Sequence, residues 1–296
     1  MRLLITGARG QLGRELTMLL QDSAHQVVGV THADCDITSP RAVARVMEQV
    51  HPDAVINCAA WTGVDAAEDH RDVAFAVNAA GARVLAVECE RRGSLLCHIS
   101  TDYVFDGTAT SPYREDAAPH PLGVYGASKA AGEAEVRAVS PRHQIVRTAW
   151  LYGQDGPNFV LTMVRLARER GELRVVADQR GAPTWTGHLA PALVQLVERG
   201  SPGTFHLTNS GDTTWHGFAT AIVADAGLDV PVVAITTVEY PTPAPRPAYA
   251  VLDNAEWRRL GNGALPHWRE GLREYLRRRG LSSRSAVSVD TEAAPS

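Results

Sequence analysis

Leu3-Leu4-Ile5-Thr6-Gly7-Ala8-Arg9-Gly10-Gln11-Leu12-Gly13 decides the fold. An apolar run of strand length leads straight into three glycines at G-x-x-G-x-x-G spacing, and a helix-like stretch follows over residues 12–21. Strand, glycine turn and helix in that order form a phosphate-binding turn. Glycines permit the tight bend, and backbone N–H groups at the helix N-terminus face an anion. The first two glycines stand one residue further apart than in the commoner G-x-G-x-x-G pattern, so the context carries the reading. A purely structural glycine turn is the alternative. Gly7, Arg9, Gly10, Gln11, Leu12 and Gly13 are the candidate cofactor contacts here.

The same alternation continues outward. Strand-like runs at 27–31, 54–59, 95–100 and 145–148 are separated by helix-like stretches at 40–50, 74–92 and 125–139. Ser39-Pro40 is a helix start, with serine as cap and proline in the first turn. The strands are apolar throughout rather than alternating, which predicts a parallel sheet covered on both faces. The fold class is therefore α/β: a Rossmann-type parallel sheet with helices on both faces and a smaller C-terminal substrate lobe. Its crevice lies beyond the carboxyl ends of the strands, where Gly7, Ala60 and Thr101 all fall. After about Gly153 the pattern shifts to helices at 158–170, 187–199, 215–226 and 268–278, a strand at 203–207 and a proline-rich loop over 240–247. Residues 1–153 are read as the NAD(P)-binding domain carrying the catalytic centre, 154–280 as mainly a substrate-binding lobe, and 281–296 as a polar, disordered tail.

Composition narrows the function. The chain has 296 residues, 45% hydrophobic and 21% charged, with a net charge of −4, so neither nucleic acid nor an anionic membrane surface is expected as partner. The densest basic run, Arg277-Arg278-Arg279, reads as the solvated end of a helix. Cys35, Cys58, Cys89 and Cys97 show neither C-x-x-C nor zinc-type spacing, and three sit in apolar surroundings, which points to a reducing compartment. No apolar run reaches membrane-spanning length and no charged leader precedes the first strand, so a cytoplasmic location is expected.

The cofactor reading turns on the residues after the second strand. NAD sites place an acidic residue there to hold the adenosine ribose, but this strand ends Val28-Gly29-Val30-Thr31-His32. Arg9 in the glycine turn suits a 2′-phosphate, which favours NADPH and leaves NADH as the alternative. Asp36 and Ile37 come shortly afterwards and are placed beside the adenine. Asn57-Cys58-Ala59-Ala60-Trp61-Thr62 after the third strand lets a cofactor lie against backbone, with Ala59, Ala60 and Trp61 as contacts; strand–helix packing is the plainer explanation.

Tyr125-Gly126-Ala127-Ser128-Lys129 sets a phenol and an ammonium at i and i+4, one above the other on a helix. Thr101 ends the fourth strand in Ser100-Thr101-Asp102-Tyr103-Val104-Phe105-Asp106-Gly107. A free tyrosine, with a pKa of about 10, is a poor acid–base group at neutral pH. A neighbouring lysine and an oxidised nicotinamide would lower that value. Thr101 can then hold a carbonyl, Tyr125 exchange a proton with it, and Lys129 tune the phenol and anchor the nicotinamide ribose. An exposed Tyr/Lys pair with no such task is the usual alternative for Y-x-x-x-K alone.

These stretches, together with 147–152 and Gln179-Arg180-Gly181-Ala182-Pro183-Thr184, resemble the extended short-chain dehydrogenase/reductases and, within them, the dTDP-4-dehydrorhamnose reductases. The resemblance runs from residue 1 to about 278. It implies Thr101, Tyr125 and Lys129 as catalytic residues, and Asp102, Tyr103 and Trp150 as contacts to a dTDP-4-keto-6-deoxysugar. The implied reaction is NAD(P)H-dependent reduction of the C4 ketone to dTDP-L-rhamnose. A related ketoreductase of another deoxysugar pathway fits the same motifs, because substrate choice lies after Gly153. The related 4,6-dehydratases carry Asp-Glu after the strand-end threonine, whereas Asp102 is followed by Tyr103, which argues against dehydration. The 4-epimerases share the Thr/Tyr/Lys set but are longer. A non-catalytic NADP-binding regulatory subunit is the alternative of a different class, and such proteins often lose the Tyr/Lys pair kept here. Arg246 in the proline loop is a candidate substrate contact, with a solvated loop arginine the equal alternative. Some members of the family bind Mg²⁺ through three glutamates at a homodimer interface. Glu15 matches one, Gly187 falls at a second, and Glu270 is set against the third, so no metal is predicted and the homodimer stays open.

Overall fold

The computed structural model describes residues 1–282. Six parallel strands form its main sheet: β1 (Arg2–Thr6), β2 (Gln26–Val30), β3 (Ala54–Asn57), β4 (Leu95–Thr101), β5 (His143–Thr148) and β6 (Gly203–His206). Their order across the sheet is β6-β5-β4-β3-β1-β2. The winding reverses beside β1, so the carboxyl ends of β1 and β3 open the crevice that such a switch point provides. Leu3, Leu4, Ile5, Val55, Ile56 and Leu96 are all buried, as the unbroken apolar strands predict for a sheet covered on both faces.

The longer helices are α1 (Gln11–Leu20), α2 (Pro40–Val50), α3 (Gly81–Arg92), α4 (Val124–Val139), α5 (Phe159–Glu169), α6 (Thr186–Arg199), α7 (Trp215–Asp225) and α8 (Trp268–Arg278). Leu12, Leu16 and Leu20 of α1 share one core with Leu189, Leu193 and Leu196 of α6 on one face of the sheet. Val43, Met47, Leu85 and Val136 bring α2, α3 and α4 to the other. Ser39 caps α2 by accepting from the Ala42 N–H at 3.3 Å, with Pro40 opening the first turn.

A second core gathers Tyr152 with Val164, Trp185, Phe218, Ile222, Trp268 and Tyr275 from the chain after Gly153. Beside it the parallel pair Leu173–Val176 and Val232–Ile235 was not legible as strands. Two elements of the same stretch return to the main sheet: β6 pairs with β5, and α6 packs on α1. The polypeptide after residue 153 thus supplies both the lobe and the edge of the sheet.

The helix expected over 74–92 is broken. Arg71–Phe75 is α-helical, Ala76–Ala80 makes one wider π turn, and α3 starts at Gly81. Insertions of this kind concentrate at functional sites, and this one frees Asn78 to point inward. Of the tail expected over 281–296, residues 283–296 lie outside the described residues. Among the described residues no helix is long and apolar enough to cross a membrane.

Candidate active site

At Gly7 and Gly13 the turn is packed so that only glycine fits. Gly7 has φ of +65°, and a Cβ there would lie 2.7 Å from the Ala59 nitrogen and the Cys58 carbonyl carbon. A Cβ on Gly13 would come within 2.3 Å of the Gly7 oxygen. Those contacts draw β1, α1 and the segment after β3 together at the switch point. Gly10 is the N-cap residue of α1, exposed and without a side-chain cap, so the first-turn N–H groups remain available to a phosphate. Arg9 is exposed beside it. Gln11 donates from Nε2 to the Pro157 carbonyl at 3.1 Å.

Two predicted cofactor contacts turn inward. Leu12 and Ile37 are core side chains, each 4% exposed, so a dinucleotide can meet them chiefly through backbone. After β2, Asp34 accepts from the Thr31 N–H and hydroxyl, and Asp36 from those of Thr38. These bonds hold both carboxyls below their usual range. Ala59, Ala60 and Trp61 do follow β3 at the crevice. Trp61 is clamped by Asn78, whose Oδ1 accepts from its N–H at 2.8 Å and whose Nδ2 donates to its carbonyl at 3.0 Å. Asn78 Nδ2 also donates to Ser128 Oγ at 2.9 Å, tying this loop to α4 between Tyr125 and Lys129. Asn78→Ala strands both backbone groups of Trp61 and is expected to destabilise the fold by about 2–3 kcal/mol. Urea unfolding measures it, and a change below ~0.5 kcal/mol, the scale of a neutral surface substitution, would refute the clamp.

The proposed catalytic set meets at the end of β4. Thr101 Oγ1 donates to Asp102 Oδ1 at 2.9 Å and accepts from the Tyr103 N–H at 3.2 Å. Tyr125 lies in the first turn of α4 with its ring edge-to-face on Tyr103, centroids 5.5 Å apart. The helix reaches this position because Gly126 lies against Tyr103 and Gly132 against Asn78. A Cβ at either would sit 2.1 Å from the backbone oxygen it faces. Glu68 Oε1 accepts from the Val124 N–H at 2.8 Å and fixes the N-terminus of α4.

Burial sets the proton affinities. It pushes the Tyr125 phenol up to about 12, partly offset by hydrogen bonding to Thr101. This corrects the sequence-based expectation that Lys129 lowers it. The lysine, itself buried, turns its ammonium to the Ile99 carbonyl at 2.6 Å, and burial brings it down to about 8. Burial also raises Asp102 to about 7, and its Oδ2 has no partner. Thr148, in register with Thr101 on the next strand, carries another buried hydroxyl without a partner.

Trp150 follows β5, and Arg246 lies in the proline-rich loop. Trp150 holds a left-handed φ of +47°, uncommon for a bulky residue. Its indole stacks on Trp215 at 3.6 Å and lies against Gly181, where a Cβ would come within 2.5 Å of the ring. Arg246 is not a free loop arginine. It pairs with Asp65 at 2.8 Å, donates to the Ala244 carbonyl, and places its guanidinium 5.9 Å from the Tyr103 ring. The proline loop is thereby fastened over the residues that follow β3.

The three-glutamate Mg²⁺ site does not fit this chain. Glu15 accepts from Thr186 Oγ1 at 3.1 Å, and a Cβ at Gly187 would meet the Trp185 ring at 2.3 Å, leaving no room for a glutamate. Among the described residues, no three acidic, histidine or cysteine side chains are grouped to hold a metal.

Asn78, Asp65, Glu133 and Trp215 escaped the sequence reading, and Arg147 and Thr148 entered it only within a resembling stretch, with no role of their own. An Asn inside a helix-like run carries no signal of an inward turn. Glu133, four residues after Lys129, resembles an ordinary solvated helix pair, yet it is fully buried.

The geometry has close counterparts. A family model described as the RmlD substrate binding domain matches residues 1–280. The spore coat polysaccharide biosynthesis protein SpsK of Bacillus subtilis (strain 168) is 44% identical over 278 residues, covering 94% of this chain and 98% of that protein. The dTDP-4-dehydrorhamnose reductase of Streptomyces griseus is 45% identical over 280 residues, covering 92% of each. A crystal structure of dTDP-4-dehydrorhamnose reductase from Bacillus anthracis str. Ames in complex with NADP aligns with a TM-score of 0.92 at 41% identity, over 94% of this chain and 99% of that one. The likeness extends through the glycine crevice and the C-terminal lobe alike, and the chain belongs to the RmlD substrate-binding domain family.

Proposed function

We propose that the protein is an NADPH-dependent reductase of the C4 ketone of a dTDP-4-keto-6-deoxyhexose, forming dTDP-L-rhamnose. The observation that carries this reading is the meeting of Thr101, Tyr125 and Lys129 at the end of β4, next to the glycine crevice, with Tyr103 where a dehydratase needs a glutamate. The uncapped N-terminus of α1 is suited to the pyrophosphate. Arg9, with Asp34 and Asp36 both engaged in their own turns, suits a ribose 2′-phosphate. When bound, the reduced nicotinamide supplies the hydride. Thr101 orients the ketone oxygen, and Tyr125, a phenol that is protonated at neutral pH, gives that oxygen a proton. Lys129 supplies a cation for the nicotinamide ribose. Asp102, Tyr103, Trp150 and Arg246 line the sugar-nucleotide side. Residues 1–153 hold the cofactor and the proton donor, and 154–280 mainly receive the sugar.

The relatives include a dTDP-4-dehydrorhamnose reductase and a dTDP-4-keto-6-deoxy-D-glucose reductase at nearly equal identity, so a reductase for another dTDP-4-ketosugar is the second reading. The test is oxidation of NADPH by dTDP-4-keto-6-deoxy-D-glucose and by its C3,C5 double epimer, the L-lyxo ketosugar, with product configuration read by NMR. Turnover of the L-lyxo ketosugar to dTDP-L-rhamnose supports the proposal. Turnover to a different product selects the second reading. NADPH binding with no turnover would favour a regulatory subunit.

A further inference from the structure

Glu133 lies one turn beyond Lys129 on α4, and nothing in the proposed reaction uses it. Its carboxylate is fully buried and accepts four hydrogen bonds: Ser100 Oγ at 2.6 Å, Arg147 Nε and Nη2 at 2.8 and 2.7 Å, and Arg137 Nη2 at 2.9 Å. Arg147 is equally buried, and its guanidinium also lies 5.0 Å from the Phe105 ring. A buried ion pair is an expensive way to join a helix to a sheet, because apolar residues of similar volume often serve stability as well or better. The placement suggests what the charge is for. Ile99 and Ser100 are consecutive on β4, directly before Thr101; Ile99 holds Lys129, and Ser100 holds Glu133. Two adjacent residues of one strand therefore grip two successive turns of the helix whose first turn carries Tyr125.

The groups facing Lys129 can be named by element. Cys58, after β3, is a thiol pushed up to about 12 by burial and is neutral. His98 on β4 is buried, pushed well down and neutral; its Nδ1 meets Asn57 Nδ2 at 2.9 Å. Asp102 acts on the phenol of Tyr125 rather than on the ammonium. Arg147 on β5 and Arg137 on α4 both bind Glu133 and approach the lysine only through it. Among the described residues Glu133 is the one anion that acts on Lys129, and it opposes the burial that brings the lysine down. Arg147 and Ser100 hold the carboxylate below its usual range, at about 2, so it stays charged throughout the working pH range.

We infer that Glu133 is a positioning residue for the reaction: clamped by Arg147 and Ser100, it keeps Lys129 seated against β4 and cationic. This rests on the reductase reading, and the test separates the two. Glu133→Gln keeps the shape and one acceptor oxygen but removes the charge. The loss of activity at alkaline pH should then begin lower, with the basic limb of kcat/KM displaced downward by about one pH unit, the usual scale for one nearby opposite charge. Activity below the displaced limb should largely return. A purely structural role predicts a uniform fall in kcat/KM with the limb unmoved, and that result overturns the inference. Should Glu133→Gln fail to fold, the neutral pair Glu133→Leu/Arg147→Met removes both buried charges, and a downward displacement is still expected, smaller because the Arg147 cation leaves with the anion. The Lys129 Nζ resonance in ¹⁵N-lysine protein, titrated in wild type and in the folding variant, reports the shift without turnover. An unmoved lysine titration refutes the inference even if the enzyme is active. A moved one supports it even if the ketosugar proves to be the wrong substrate.

Discussion

Tyr125→Phe should lower kcat by at least ~10²-fold, the lower end of what a positioned general acid contributes, with little change in thermal stability or dinucleotide affinity. The ring would keep its edge-to-face contact with Tyr103, since only the hydroxyl is removed. Lys129 would keep its bond to Ile99. What goes is the proton held at a pKa of about 12 beside Thr101. That value has a directional consequence. In ketone reduction the phenol must begin protonated, which it is across the neutral range even at its ordinary pKa of about 10. In alcohol oxidation it must begin as phenolate, so the reverse reaction should climb with pH over the range where reduction does not. Steady-state kinetics in both directions provide the check. Parental kcat in the Phe variant would remove Tyr125 from the mechanism, and a loss confined to KM would recast it as a substrate contact.

Gly126→Ala should be nearly as damaging, though the residue touches no substrate. In an exposed helix interior this change stabilises by up to about 1 kcal/mol. Here the sign reverses, because the new methyl would sit 2.1 Å from the Tyr103 carbonyl oxygen, and a backbone carbonyl cannot rotate away as a side chain can. α4 must retreat from the turn after β4, at an overpacking cost of about 1–3 kcal/mol. Tyr125 moves with it, and a displacement of roughly 1 Å at a reacting group costs on the order of 10²-fold in rate. The expected signature is a lowered Tm together with a fall in kcat that exceeds any change in cofactor affinity. An alanine variant with parental Tm and kcat would show that the helix is not seated against Tyr103.

The two predictions mark where the sequence was informative and where it was not. Tyr125 and Lys129 announce themselves by spacing, and β1 with its glycines by the abrupt change from apolar run to turn. Both signals are local. Gly126 reads as an ordinary small residue until Tyr103 is brought against it from another element. The phenol's proton affinity was misjudged for a similar reason: the charge of Lys129 is visible in the sequence, while the burial that outweighs it is not. Asn78 was hidden inside a run that continues as helix on both sides. Arg246 looked free because its partner, Asp65, lies far away in the chain. Residues 203–207 were legible as a strand, but no local pattern says which sheet a strand joins.

That last strand has a consequence for how the molecule is made. β6 closes the sheet edge at β5, and α6 just before it covers Leu12 and Leu16 of α1. Until these elements emerge from synthesis, the nascent N-terminal half has an unpaired β5 edge and a bare apolar face, the features that invite pairing with other chains. The N-terminal half is therefore not a unit that can finish folding first and wait for its lobe. It is completed only by residues from the half that would receive the sugar, so the two halves must be gained, or lost, together.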